Sequence, residues 1–218
     1  MKRTKCSILS LVGAVLTVLA LAASRPAAAD SYTITELGAL PGYTYDWTWQ
    51  QTINNYGLVA AYANNTLDPN AFFGDASYLA IGNYISPLPG LPNAVDTIAF
   101  GLNNRGMVVG RSTQPGMANS PVLWDGSGAV YALPELPGDN KGGALLINDG
   151  GQIVGYSADT STGIRRAVTW INRAVSLLPT PAGAEFGEAL GINDAGEIVG
   201  FAGPEPGLEH IMLWRWGM

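Results

Sequence analysis

The sequence predicts an all-β protein built from four repeats, and three features carry that prediction. A nine-residue motif occurs four times: Ile-Asn-Asn-Tyr-Gly-Leu-Val-Ala-Ala at 53–61, Leu-Asn-Asn-Arg-Gly-Met-Val-Val-Gly at 102–110, Ile-Asn-Asp-Gly-Gly-Gln-Ile-Val-Gly at 147–155 and Ile-Asn-Asp-Ala-Gly-Glu-Ile-Val-Gly at 192–200. Its glycines, Gly57, Gly106, Gly151 and Gly196, are spaced by 49, 45 and 45 residues. In three copies a short strand ending in tryptophan follows, at Trp124, Trp170 and Trp214. Beyond Asp30 the apolar runs are short, Gly and Pro are frequent and helical periodicity is absent, which is the pattern of strands separated by turns.

Residues 1–29 stand apart. Lys2, Arg3 and Lys5 precede an almost wholly apolar run at 8–23, and Ala27-Ala28-Ala29 offers a cleavage site before Asp30. This is the layout of a secretory signal peptide. The run is shorter than the roughly 20 residues that a membrane-spanning helix needs. The expectation is therefore an exported chain beginning near Asp30, extracellular or periplasmic and free of the membrane after cleavage. Lys2, Arg3, Lys5 and Arg25 leave with the signal, so seven basic residues face 17 acidic ones and the formal charge falls from −6 to −10. Such a chain is a poor partner for nucleic acid, whose phosphates are bound by Lys and Arg. Cys6 lies within the signal, so the mature chain has no disulfide, no thiol chemistry and no thiolate ligand.

Each motif reads as a hairpin. An apolar residue closes one strand, Asn54, Asn103, Asn148 or Asn193 opens the turn by bonding nearby amides, and the glycine supplies a positive φ before the next apolar strand. The strand ending in tryptophan comes third: 121–124, 167–170 and 211–214, with Ala71-Phe72-Phe73-Gly74 in the first copy. A fourth, ending in proline, occupies 84–89, 130–134 and 175–179. Four strands in about 45 residues is the content of a propeller blade. The second strands Ile153-Val154-Gly155-Tyr156 and Ile198-Val199-Gly200-Phe201 are apolar on both faces, as a sheet packed between two others requires.

The ends suggest closure. The last repeat lacks a fourth strand after Trp216, while Leu37-Gly38-Ala39-Leu40-Pro41-Gly42 aligns with the end of a fourth strand at 133–138. The prediction is a four-bladed β-propeller spanning 30–218, closed by residues 32–37 as the outer strand of the last blade, which would remove two sheet edges at once. The alternative is an open β-repeat stack.

The motif and its tryptophan-terminated strand resemble the extracellular HAF-repeat family of bacterial secreted proteins. The His-Ala-Phe strand that names the family is degenerate here: Asn70-Ala71-Phe72, Ser120-Pro121-Val122, Arg166-Ala167-Val168 and His210-Ile211-Met212. The resemblance covers the whole mature chain and implies an exported repeat protein with no defined reaction.

No complete catalytic constellation is present. His210 has no partner at metal-ligand spacing, and neither a nucleophile elbow nor an oxygen-rich calcium loop occurs, so no catalytic residue, metal or cofactor is assigned. Arg165-Arg166 reads as a solvated pair. The aromatic run Tyr43, Tyr45, Trp47 and Trp49 would share one face of a strand, either as a stacking platform for sugar rings or as the cover of the ring seam. Trp124, Trp170 and Trp214 recur with the period and are core residues between blades. The loops at 64–70, 111–120, 157–166 and 203–209 vary in length and charge, as binding loops on a rigid scaffold do. The functional expectation is a binding or structural module at or outside the cell envelope, its partner a glycan or another envelope protein. The alternative is a propeller enzyme, a polysaccharide lyase or hydrolase with carboxylates in its channel. A third class is a half-ring completed by a second copy.

Overall fold

A computed structural model describes residues 33–49, 51–64 and 74–216. The chain divides into two units, Met1–Thr35 and Glu36–Met218, and the strands of the described residues lie in the second. The expected signal peptide at 1–29 lies outside the described residues. Among them there is no helix, and so none long and apolar enough to cross a membrane.

The strands form up-and-down antiparallel units. The first repeat holds β1 (Tyr45–Trp47), β2 (Val59–Asn64), β3 (Ala76–Ile81) and β4 (Tyr84–Pro87), and the second holds β5 (Asp96–Leu102), β6 (Val108–Thr113), β7 (Ser120–Trp124) and β8 (Val130–Ala132). The third has β9 (Lys141–Ile147), β10 (Ile153–Ala158), β11 (Arg165–Ile171) and β12 (Ala174–Leu177); the fourth has β13 (Phe186–Ile192), β14 (Ile198–Gly203) and β15 (His210–Trp214). A single parallel bridge, Arg165 to Phe186, joins the third and fourth repeats into one seven-stranded sheet.

The repeated turn residues stitch neighbouring repeats together. The glycines Gly57, Gly106, Gly151 and Gly196 stand at φ of 76°, 73°, 85° and 78°, where a side chain would be strained. Within the turn, Asn103 Oδ1 accepts the N–H groups of Arg105 and Met107, both at 3.0 Å. Its amide then reaches the next repeat. Asn54 Nδ2 donates to the Asn103 carbonyl, Asn103 to that of Asn148, and Asn148 to that of Asn193, at 3.0–3.2 Å. Beside this ladder, the backbone N–H groups of Asn55, Asn104 and Asp149 donate to the side-chain oxygens of Asn104, Asp149 and Asp194 at 2.8–2.9 Å. At the opposite end of the strands, Thr97 N–H donates to the Asp75 carbonyl and Gly142 N–H to that of Asn119.

Between these two seams lies one apolar cluster per junction. Trp124 packs with Val108, Val122 and Ala99 of its own repeat and with Ala60 and Leu88 of the first. Trp170 and Trp214 do the same one and two repeats later, against Val109 and Leu133 and against Val154 and Leu178. Each indole N–H donates to the carbonyl of the preceding repeat's proline turn: Trp124 to Pro89 at 2.7 Å, Trp170 to Pro134 at 2.8 Å and Trp214 to Pro179 at 2.6 Å. Each tryptophan therefore looks backward along the chain.

Three expectations need correction. Residues 33–37 form no strand, and β15 pairs only with β14, so the expected closing strand is not seen and no closed sheet occurs among the described residues. Tyr32 lies outside the described residues. The aligned Leu37–Gly42 sequence has another role, because the same proline turn precedes every first strand. Tyr43, Ala94, Asp139 and Ala184 each donate N–H to the carbonyl three residues back, at 2.9–3.1 Å. Gly42, Asn93, Gly138 and Gly183 hold positive φ between them. The turn thus launches β1, while Leu37 and Leu40 pack onto the back of the first sheet with Ala61, Ala63, Tyr78 and Ala80.

Second, the third strand of the first repeat is not 71–74, and residues 71–73 lie outside the described ones. Ala80 opposes Val59 as Trp124 opposes Val108, which places the strand six residues further along. Here Ala80 replaces the tryptophan. Among the described residues no repeat precedes this one for an indole to reach, and Tyr78 fills the place that Val122 holds in the next copy. Third, β14 is not buried on both faces: Val199 is 47% exposed, whereas its counterparts Val109 and Val154 are fully buried, because no sheet among the described residues covers the fourth repeat.

Candidate functional site

The repeats keep their residues at the asparagine turns and change them at the other end of the first two strands. The register shows this directly. Tyr45, Asp96, Lys141 and Phe186 occupy one position in successive repeats, opposite Asn64, Thr113, Ala158 and Gly203. Trp47, Ile98, Gly143 and Glu188 occupy the next position on that face, opposite Tyr62, Arg111, Tyr156 and Phe201. Aromatic and charged side chains in these rows are not what the shared fold demands.

In the first repeat the rows carry the aromatic run. Tyr45 and Trp47 share a face of β1, as alternation requires. Trp47 is 54% exposed and lies opposite Tyr62. Trp49 lies beyond the strand, is 51% exposed, and meets Phe100 edge-on with centroids 5.5 Å apart. Tyr43 instead packs into the cluster behind the first sheet. Two of the four rings therefore present a surface, and Tyr62 and Phe100 extend it.

Carboxylates come next. Asp96 is 2% exposed and accepts from Asp75 N–H at 3.1 Å and Thr113 Oγ1 at 3.2 Å, with Arg111 at 3.8 Å; Asn64 Nδ2 donates to Asp75. These two carboxylates join the first repeat to the second. Burial pushes the Asp96 carboxyl up to about 6; Arg111 opposes the rise and Asp75 adds to it. A folded pKa above the unfolded value of ~3.9 means that the contribution to stability is fully present below that value. It is lost as pH rises through about 6. Between about pH 4 and about pH 6 the urea midpoint of the wild type should fall relative to that of Asp96→Asn. Parallel midpoints would remove Asp96 as the cause.

The third and fourth repeats supply cations and more aromatic surface. Gly143 has no side chain because the Tyr156 ring lies over it; a Cβ there would stand 2.7 Å from Tyr156 Cε1. The Arg165 guanidinium covers that ring at 3.8 Å and pairs with Glu188. Phe186 stacks on Phe201 at 5.9 Å. Arg166 pairs with Asp139 at 2.5 Å, and Ser157 Oγ donates to the same carboxylate at 2.7 Å. Arg165 and Arg166 are thus not the solvated pair that the sequence predicts, since acidic partners wait on β13 and on the proline turn. Lys141 sits among them with its pKa lowered, first by burial and then by Arg165 and Arg111. A cavity of about 180 Å³ opens beside Arg165, Glu185, Phe186 and Thr180.

His210 is exposed, and no group of three or more His, Cys, Asp or Glu able to hold a metal occurs among the described residues. Comparison with protein-family models and with curated proteins finds no match for this chain. Sequence reading missed Tyr62, Phe100, Arg111, Tyr156 and Phe201. The signal was there: four of them are the residues that differ among copies just past the constant Val-Val-Gly or Ile-Val-Gly, or past Val-Ala-Ala in the first copy, and Phe100 lies just before a constant turn.

Proposed function

We propose that this chain is an exported binding module, kin to the extracellular HAF-repeat proteins and acting at or outside the cell envelope on a glycan. Blade-like repeats provide the scaffold, and the varied rows provide the seat. The observation that carries this reading is the half-exposed pair Trp47, at the end of β1, and Trp49, just beyond it, beside Tyr62 and Phe100. Large rings left open to water at the edge of a sheet suit the apolar faces of sugar rings, and the polar groups of Asp96, Arg111 and Lys141 lie further along the same rows. A protein of the envelope carrying surface glycans would be met through the same seat.

A glycan array followed by calorimetry on the best ligand tests this. Trp47→Ala and Trp49→Ala should each weaken binding at least tenfold, about 1.4 kcal/mol, without changing the unfolding midpoint. Unchanged affinity in both variants would move the seat elsewhere, and silence across the array would remove the glycan.

A further inference from the structure

Every junction inside the repeats is made of the same parts, and each end leaves some of its half exposed. On the leading face of a sheet, Val109 and Val154 are fully buried by the following repeat, whereas Val199 is 47% exposed and Leu213 beside it is 50% exposed. Ile211, at 90% exposure, stands where Ala167 is fully covered. On the trailing face, Leu102 and Ile147 are 7% and 8% exposed, whereas Ile53 in the same position is 66% exposed.

The asparagine ladder divides in the same way. Asn193 Nδ2 has no following turn and bonds Glu197 of its own turn instead. At the other end the carbonyl of Asn54 takes Gly57 N–H, while the carbonyls of Asn103, Asn148 and Asn193 each take a second donor from the preceding repeat. A spare donor thus lies at one end and a spare acceptor at the other. The first repeat also carries the proline turn that each junction contains, with Leu37 and Leu40 seated on its trailing face as Leu88 and Leu91 are seated on that of the second.

We propose that the leading face of the fourth repeat receives the trailing face of the first repeat of a second copy, head to tail. Asn193 of one copy then donates to the Asn54 carbonyl of the other, and Val199 and Leu213 cover Ile53. The interface continues the one already built three times within the chain, which is the argument for a second copy over an unrelated partner. Strands β1–β4 and β13–β15 make no pairing with one another within one chain; the second copy meets the trailing face at its exposed edge, Ile53, beside the Ala61, Tyr78 and Ala80 patch that Leu37 and Leu40 already cover. A head-to-tail contact either closes a ring or extends.

The chain from Asp30, which keeps every strand and the proline turn of the first repeat, should sediment at micromolar concentration with at least twice the single-chain mass. Val199→Glu and Ile53→Glu should each reduce it to a single chain. Both positions are already open to water, so tryptophan emission should be unchanged. Mixing the two variants should restore a two-chain complex, because each keeps the half that the other has lost. A wild type of single-chain mass overturns the proposal. So does an Ile53→Glu variant that stays assembled, since fourth repeats would then be packing on each other, and so does a mixture that stays monomeric.

Discussion

Trp170→Ala should lower the free energy of unfolding by about 3–5 kcal/mol. The indole is fully buried at the centre of the second junction, among Val109, Leu133, Ile153 and Val168. Removing it opens a cavity between two sheets that cannot close up, because the asparagine ladder holds one side and the Asn119–Gly142 bond the other. The Pro134 carbonyl also loses its donor. The chain contains its own control in Ala80, which holds the same position in the first repeat. There the space is filled by Tyr78, Leu37 and Leu40, so alanine is accepted only with compensating bulk around it. Since stability in a stack is carried by neighbour-to-neighbour junctions, the variant should also broaden or split the urea transition. A loss below about 1.5 kcal/mol with one sharp transition would mean that the junction does not depend on the indole.

What the sequence made legible follows from what the repeat needs. Asn54, Asn103, Asn148 and Asn193, with their glycines, recur because each accepts the N–H four residues on in its own turn and three of them bond to the next. The tryptophans recur because each has a preceding proline turn to reach. Closure was misread because a turn that starts every first strand looks, in one dimension, like the end of a missing fourth strand. The exposed Val199 was misread because β14 opens with the same Ile-Val-Gly-aromatic run as β10, and what separates them is that no described sheet follows β14. The candidate site was half legible. Its aromatic end stands out as Tyr45-Asp46-Trp47-Thr48-Trp49, but Arg165 over Tyr156 and its pairing to Glu188 join residues from two repeats, a relation that only the register of β13 on β11 creates.

The constant glycine that ends the motif in three copies leads to the other large effect. Gly155→Ala should destabilise the protein by about 3 kcal/mol, at the upper end of overpacking, although its φ is not in the left-handed region. The cause is a bulge. Pairing of β9 with β10 slips between Val154 and Gly155, leaving Leu145 unpaired, and this brings the Gly143 carbonyl across the strand. A Cβ on Gly155 would stand 2.0 Å from that oxygen, and one on Gly110 or Gly200 would stand 2.0 Å from the carbonyl of Ile98 or Glu188. The obstacle is backbone, and β10 is buried along its whole length, so neither strand can yield cheaply. The first repeat shows why its motif ends in Ala61. Its first strand leaves the ladder after Trp47, which pairs with Tyr62, and the next pairing is the Ile53–Val59 bridge, so among the described residues none of the first strand is paired with Ala61, whose partner is Tyr78 on β3. Ala61→Gly should therefore cost only about 1–2 kcal/mol, through backbone entropy and the loss of one buried methyl group. Urea unfolding of both variants decides the matter. Equal small losses would show that the bulge relaxes around a methyl group, and that the glycine is kept for some reason other than the approach of the two strands.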